Sequence, residues 1–204
     1  MEEFQNELKK VPVTAALILL NLAVFLATDF TGGSENTAHM IQWGASYTPL
    51  ILEEGEWYRL FTAMFLHFGI THLGNNMLVL FVLGQRLEPA IGKARFLAIY
   101  LLAGLGGNLI SLGREIQGKD FAVSAGASGA VFGIMGAMLY VLLLCKGRLS
   151  DLTARQVLIM AAFSLYFGFT SGGVDNAAHV GGLLCGFLAA LLLVRRPSLS
   201  RQGP

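Results

Sequence analysis

The sequence is short of charge and of cysteine. Lys, Arg, Asp and Glu make up 13% of its 204 residues, against roughly a quarter in soluble domains. With 54% hydrophobic residues and a mean hydropathy of +0.62, the chain holds more apolar sequence than a soluble core of this size can hide. No basic cluster is massed on one face, so a net charge of +1 gives no case for nucleic-acid binding. The two cysteines, Cys145 and Cys185, sit inside apolar segments, where a thiol acts as a small packing residue rather than as half of a disulfide. No H-E-x-x-H occurs and His67 and His72 are five apart, so neither a metal site nor any other cofactor is expected. There is no repeat of 20–50 residues, no low-complexity tract, and no alternation of the kind that builds a transmembrane barrel. What remains is a single all-α membrane protein.

Apolar runs bounded by charge or by Gly and Pro fall near residues 12–29, 72–88, 92–113, 128–145, 153–171 and 177–194. Several approach the roughly 20 residues needed to cross about 30 Å of hydrocarbon. Lys9 and Lys10 precede the first run as they would in a signal peptide, but the run is long, lacks an A-x-A site and is followed by five more, so it is expected to be retained. The expected organisation is a short N-terminus (1–11), a six-helix core (12–194) and a basic tail (195–204).

Basic residues are split unevenly between the two sides of these spans. Lys9, Lys10, Arg86, Lys93, Arg95, Lys146, Arg148, Arg155, Arg195, Arg196 and Arg201 lie on one side, and Arg59, Arg114 and Lys119 on the other. The positive-inside rule then makes both termini cytoplasmic and starts spans two, four and six on the outside. The first loop, about 30–71, is external and unusually apolar. Its Trp57, Tyr58, Leu60, Phe61, Met64 and Phe65 read as an interfacial helix with Trp57 and Tyr58 as belt aromatics.

Polar side chains inside spans are expensive and so are functional candidates by default. His72 and Asn76 open span two, Ser128 opens span four and His179 opens span six. At 1.5 Å per helical residue, Ser128 stands about 27 Å above Lys146, His179 about 24 Å above Arg195 and His72 about 21 Å above Arg86. The cluster therefore lies a few ångströms inside the outer boundary, within reach of external water. Ser128 follows a turn of small residues, Ser124-Ala125-Gly126-Ala127, and leads Gly129-Ala130-Val131-Phe132-Gly133. A serine at a helix start is exposed and is surrounded by unpaired N–H groups suited to an oxyanion. His179, in Ala178-His179-Val180-Gly181-Gly182, supplies a general base for it. Gly129-x-x-x-Gly133 and Gly182-x-x-x-Gly186 are both small-xxx-small patterns that let membrane helices approach closely. Taken singly, such a serine is usually a packing or capping residue and such a histidine a structural one; their joint placement is what points to catalysis. His39 and His67 read as loop residues, with His67 a candidate to brace the turn into span two. Asp175, four residues before His179, reads as a helix cap rather than a triad acid.

These residues resemble the rhomboid family of intramembrane serine proteases. The likeness rests on Trp57-Tyr58-Arg59, the run His67-Phe68-Gly69-Ile70-Thr71-His72-Leu73-Gly74-Asn75-Asn76, then Gly126-Ala127-Ser128-Gly129, and finally Ala178-His179-Val180-Gly181-Gly182, in order across nearly the whole core. The resemblance implies a six-helix rhomboid bundle with an interfacial first loop and a Ser128–His179 dyad. It also implies an oxyanion hole from His72, Asn76 and the Ser128 N–H, structural roles for Trp57 and Arg59, and movement of span five and the loop before His179. Some members carry Tyr one turn after the nucleophile, stacked on the catalytic His; Phe132 keeps the aromatic face and loses the hydroxyl. Gly126, Gly129 and Gly182 would support the site by their smallness.

The implied activity is endopeptidase cleavage of single-span membrane proteins near the outer leaflet, in a multi-pass protein of a prokaryotic cell (inner) membrane, with the lipid bilayer as its other partner. A non-catalytic rhomboid-like binder of membrane segments is the alternative, although such proteins lack the nucleophile or the base. A proton-coupled transporter would show repeated halves and broken midplane helices, which are absent from the sequence.

Overall fold

The computed structural model describes residues 10–170 and 172–195. Lys9 and most of the expected N-terminus, together with Arg196, Arg201 and the rest of the basic tail, lie outside the described residues.

Each expected apolar segment is the body of one long helix. In chain order these are α1 (Pro12–Gly32), α5 (Gly69–Ile91), α6 (Lys93–Gly118), α7 (Ser128–Leu144), α8 (Ala154–Thr170) and α9 (Asn176–Leu193). Between α1 and α5 the chain forms the short helices α2 (Thr37–Gln42), α3 (Thr48–Glu53) and α4 (Arg59–Thr62), the last running into a 3₁₀ turn at Ala63–Phe65. By length and composition α1, α6 and α9 can each cross a membrane. The Arg59–Phe65 stretch lies at 88° to α5, so it runs across the bundle axis and not along it. At 17 residues each, α7 and α8 sit at the short end of the usual range for a spanning helix. The chain is an all-helical integral membrane protein.

Helix ends follow local chemistry. Pro12 opens α1, where its missing N–H costs nothing, but no side chain of its own neighbourhood caps that helix. Glu88 of α5 does so from across the bundle. Its buried carboxylate accepts the Val13 N–H at 3.0 Å, the Thr14 N–H at 2.8 Å and the Thr14 hydroxyl at 2.7 Å. An anion at a helix N-terminus also meets the positive end of its dipole. Gly92 alone separates α5 from α6, making a hairpin with a one-residue turn.

Two ribbons were not foreseen in the sequence. β1 (Ser46–Tyr47) pairs antiparallel with β2 (Val123–Ser124), with Ser46 opposite Ser124. β3 (Arg148–Leu149) and β4 (Leu152–Thr153) form the turn between α7 and α8. Asp151 in that turn pairs with Arg86 at 2.6 Å, and the hydrogen bond from Arg86 holds the carboxyl down at about 2. Whatever this exposed pair contributes is present above the ordinary carboxylate pKa and is lost as pH falls through about 2.

The core centres on α7, whose buried residues run from Gly129 to Met138 without a break. Its neighbours α6 and α9 approach so closely that backbone meets backbone. The Gly129 carbonyl lies against Gly182, the Gly133 carbonyl against Gly186, and the Leu183 carbonyl against Gly136, with no space for a Cβ at any of the three glycines. In α6, Gly107 receives the Ala178 carbonyl and Gly104 receives Met64 and Ala130. The two small-xxx-small patterns therefore do meet, and α6 contributes a third glycine face that the sequence reading passed over. By contrast α8 buries only Val157, Ala161 and Gly168 of its length and turns Leu158, Phe163, Tyr166 and Phe167 outward.

This packing predicts a sharp positional contrast. Gly182→Leu must drive α7 and α9 apart and is expected to cost ~3 kcal/mol or more. Gly113→Ala in α6, where a Cβ meets nothing within 4 Å, should be neutral or stabilising by up to about 1 kcal/mol. Thermal unfolding in mild detergent measures both, and equal midpoints would contradict the backbone contact.

Candidate active site

Three helix starts converge on one level of the bundle. Ser128 begins α7, His179 lies in the first turn of α9 and His72 in the first turn of α5. The contacts of Gly126 join two of them: a methyl group at this position would stand 2.8 Å from His72 Cε1 and 3.4 Å from Ser128 Oγ. Gly126 has φ of +152°, which other residues rarely adopt, so the turn before Ser128 requires glycine for its conformation as well as for space. Phe132 joins Ser128 to His179. One turn along α7, its ring stacks on the imidazole with centroids 4.4 Å apart and planes inclined by 15°. The aromatic face expected at Phe132 is thus in place.

The turn itself is held from several sides. The Gly126 N–H donates to the Ala63 carbonyl at 2.9 Å, and the Ala127 N–H donates to His67 Nε2 at 3.3 Å. No side chain caps α7, which leaves the amides at its start free to face a developing negative charge. Asn76 is buried, and one of its two amide N–H groups donates to the His72 carbonyl at 3.0 Å. This intrahelical bond orients the side chain within α5 and leaves its second N–H for another acceptor.

His67 is the residue that the sequence reading undervalued. It is fully buried, accepts the amide immediately before Ser128 and lies edge-on to His72 with ring centroids 5.2 Å apart. The sequence reading gives it a bracing role at the turn into span two, whereas its bond is to the turn before Ser128. His39 stays apart, bonded to Thr31 and to the Thr28 carbonyl at the end of α1.

Asp175 caps α9 as expected, one oxygen accepting the Ala178 N–H at 2.9 Å. Its other oxygen accepts from the hydroxyls of Ser111 at 2.6 Å and Ser124 at 3.0 Å. Both oxygens are thereby engaged away from the His179 ring, whose Nδ1 is buried with no hydrogen-bond partner among the described residues. Arg59 is 4% exposed and staples the first loop, donating to the Ile41 carbonyl at 2.7 Å, to the Ala45 carbonyl at 3.0 Å and to Glu56 at 2.6 Å. Trp57 is 54% exposed and makes no comparable contact among the described residues, as an outward-facing aromatic would. Among the described residues no group of three metal-binding side chains occurs.

A serine and a histidine presented on adjoining helix starts within an all-helical membrane protein define a narrow class. The family model described as the Rhomboid domain matches residues 54–196. The chain is 34% identical over 210 residues to the rhomboid protease AarA of Providencia stuartii, covering 92% of this chain and 74% of that one. It is 40% identical over 190 residues to the rhomboid protease GluP of Bacillus subtilis, covering 93% of this chain and 36% of that protein. RHOMBOID-like protein 5 of Arabidopsis thaliana is 39% identical over 158 residues, 76% of this chain and 50% of its own length. The chain belongs to the rhomboid family, and it spans about a third and a half, respectively, of the last two relatives.

The hydrogen bond to Ala127 can be tested directly. His67→Leu leaves that N–H buried and unpaired, for an expected loss of about 1–3 kcal/mol. His67→Gln keeps an acceptor and should lose less. Equal losses for the two, read by unfolding in detergent, would mean that packing alone explains His67.

Proposed function

We propose that the protein is an intramembrane serine endopeptidase in which Ser128 is the nucleophile and His179 the general base. The observation that carries this reading is the stack of Phe132 on His179, which brings the base to the turn of α7 that begins with Ser128. His179 takes the hydroxyl proton as Oγ attacks the scissile carbonyl. The resulting oxyanion is met by the Ser128 N–H, His72 and Asn76. The histidine then returns its proton to the leaving amine, and water hydrolyses the acyl-enzyme by the same steps in reverse order. Asp175 takes no part in proton transfer, in keeping with its two engaged oxygens.

Ser128→Ala or His179→Ala should abolish cleavage of a single-span test substrate while the protein stays folded. His72→Ala and Asn76→Ala should each slow turnover by about 10²–10³. A fluorophosphonate should label Ser128 in the native protein and nothing in Ser128→Ala. Near-native cleavage by either dyad variant would remove the dyad, and folded native protein that is neither labelled nor active would favour a non-catalytic binder.

In this reading the substrates are single-span membrane proteins, cut near the outer leaflet. A substrate helix hides its carbonyls in i→i+4 bonds, so it must unwind where water or protein can take over those groups. Helix-weakening Gly or Pro in the outer half of the substrate span, with a small residue before the cut, fits this need. The sparse packing of α8 supports its displacement to admit such a segment. The excess of basic residues on one side supports a reading in which both termini are cytoplasmic, in a prokaryotic cell (inner) membrane as the family resemblance implies. A reporter fused after Arg196 should therefore be cytoplasmic, and mass spectrometry of products from liposomes should map the cut to the outer half. A cut in the cytoplasmic half would refute the orientation.

A further inference from the structure

We infer that Asp175 is a positioning residue that sets the reach between Ser128 and His179, an inference that rests on the protease reading. The carboxylate joins three segments. Its Oδ1 holds the Ala178 N–H, next to His179 on α9, while its Oδ2 holds the hydroxyl of Ser124 on the turn that leads to Ser128 and the hydroxyl of Ser111 on α6. Among the described residues, the Ser124–Asp175 bond is the only hydrogen bond between the residues 123–128 and the N-cap and first turn of α9.

The other ties on the same turn lead elsewhere. Ser124 pairs through its backbone with Ser46 of the first loop, Gly126 is held by Ala63, and Ala127 by His67. These fix the nucleophile relative to the first loop. The glycine contacts fix α7 against α9 only from Gly129 downward. Above that level Asp175 completes the frame by joining the serine's turn to the histidine's helix. Because it acts on the attack geometry and touches no substrate, its loss should fall on kcat. A misplacement of about 1 Å at a reacting pair can cost on the order of a hundredfold.

Substitutions separate the cap from the tie. Asp175→Ser keeps a good N-cap for α9 but is too short to reach Ser124 and Ser111. Asp175→Asn keeps the cap and a polar arm of the right length without the charge. Ser124→Ala removes the tie and leaves the cap untouched. The expected result in liposomes is a fall in kcat of roughly tenfold to a hundredfold for Asp175→Ser and Ser124→Ala, with KM within about twofold. The fluorophosphonate labelling rate of Ser128 should fall in parallel, unfolding midpoints should stay near native, and the double variant should be little worse than either single one. Asp175→Asn should recover most of the rate.

Native rates in both Asp175→Ser and Ser124→Ala, with the native protein active and labelled, overturn the inference and leave the protease reading intact. Loss of kcat only in step with a lowered unfolding midpoint overturns it in favour of a plain structural cap. An Asp175→Asn variant as slow as Asp175→Ser overturns it in favour of a charge effect on His179. A native protein that is neither labelled nor active overturns the protease reading and this inference together.

Discussion

The structure depends on one contact, the meeting of the α7 and α9 backbones through Gly129, Gly133, Gly136, Gly182 and Gly186. In lipid the hydrophobic effect does not press helices together, so association must come from close van der Waals fit and from polar contacts. Glycine supplies the fit by removing side chains from between two helices. Carbonyl oxygens then rest on Cα atoms of the facing helix, and a contact this short tolerates neither sliding nor rotation. That fixes the heights of Ser128 and His179, which sit one residue before Gly129 and three before Gly182. The α6 glycines extend the same close packing to a third helix, with Gly107 against the carbonyl of Ala178.

Around this apolar seam the buried polar groups are placed at segment junctions. Glu88 caps α1 from α5, Arg59 gathers the first loop, His67 receives the amide before Ser128, and Asp175 binds three segments. An unsatisfied polar group is costly in a membrane, so each of these side chains is strongly bound to one arrangement. The arrangement is rigid where α6, α7 and α9 meet. It is loose at α8, which contributes three buried residues and an outward row of Leu, Phe and Tyr.

Much of this could be read from the sequence, for identifiable reasons. The long helices were legible because uniform apolarity needs no tertiary context, and their observed ends fall within a few residues of the expected ones. The level of Ser128, His72 and His179 followed from counting residues back to the basic ends of their spans. The paired glycines were legible because helical spacing dictates which residues share a face, and Phe132 was legible through the resemblance to the rhomboid family. Glu88 was not, since a glutamate between Arg86 and Lys93 looks like one more solvated charge until α1 is seen to begin beside it. The partnership of His67 with Ala127, the second arm of Asp175 and the ribbon of Ser46 with Ser124 all join residues more than fifty apart, and no local pattern announces them.

The turn at Gly92 has a consequence for how the chain is made. Because a single residue separates α5 from α6, no loop exists there long enough to be threaded across a bilayer after the first of the two helices has settled. The pair is expected to enter the lipid as one hairpin, and His72 at the polar start of α5 gains its final surroundings only when the turn that holds Gly126 arrives beside it. Cutting the gene into two separately expressed fragments should fail at this turn. It should succeed at the exposed Ser150–Asp151 turn of the ribbon between α7 and α8, two helices that pack lightly on one another.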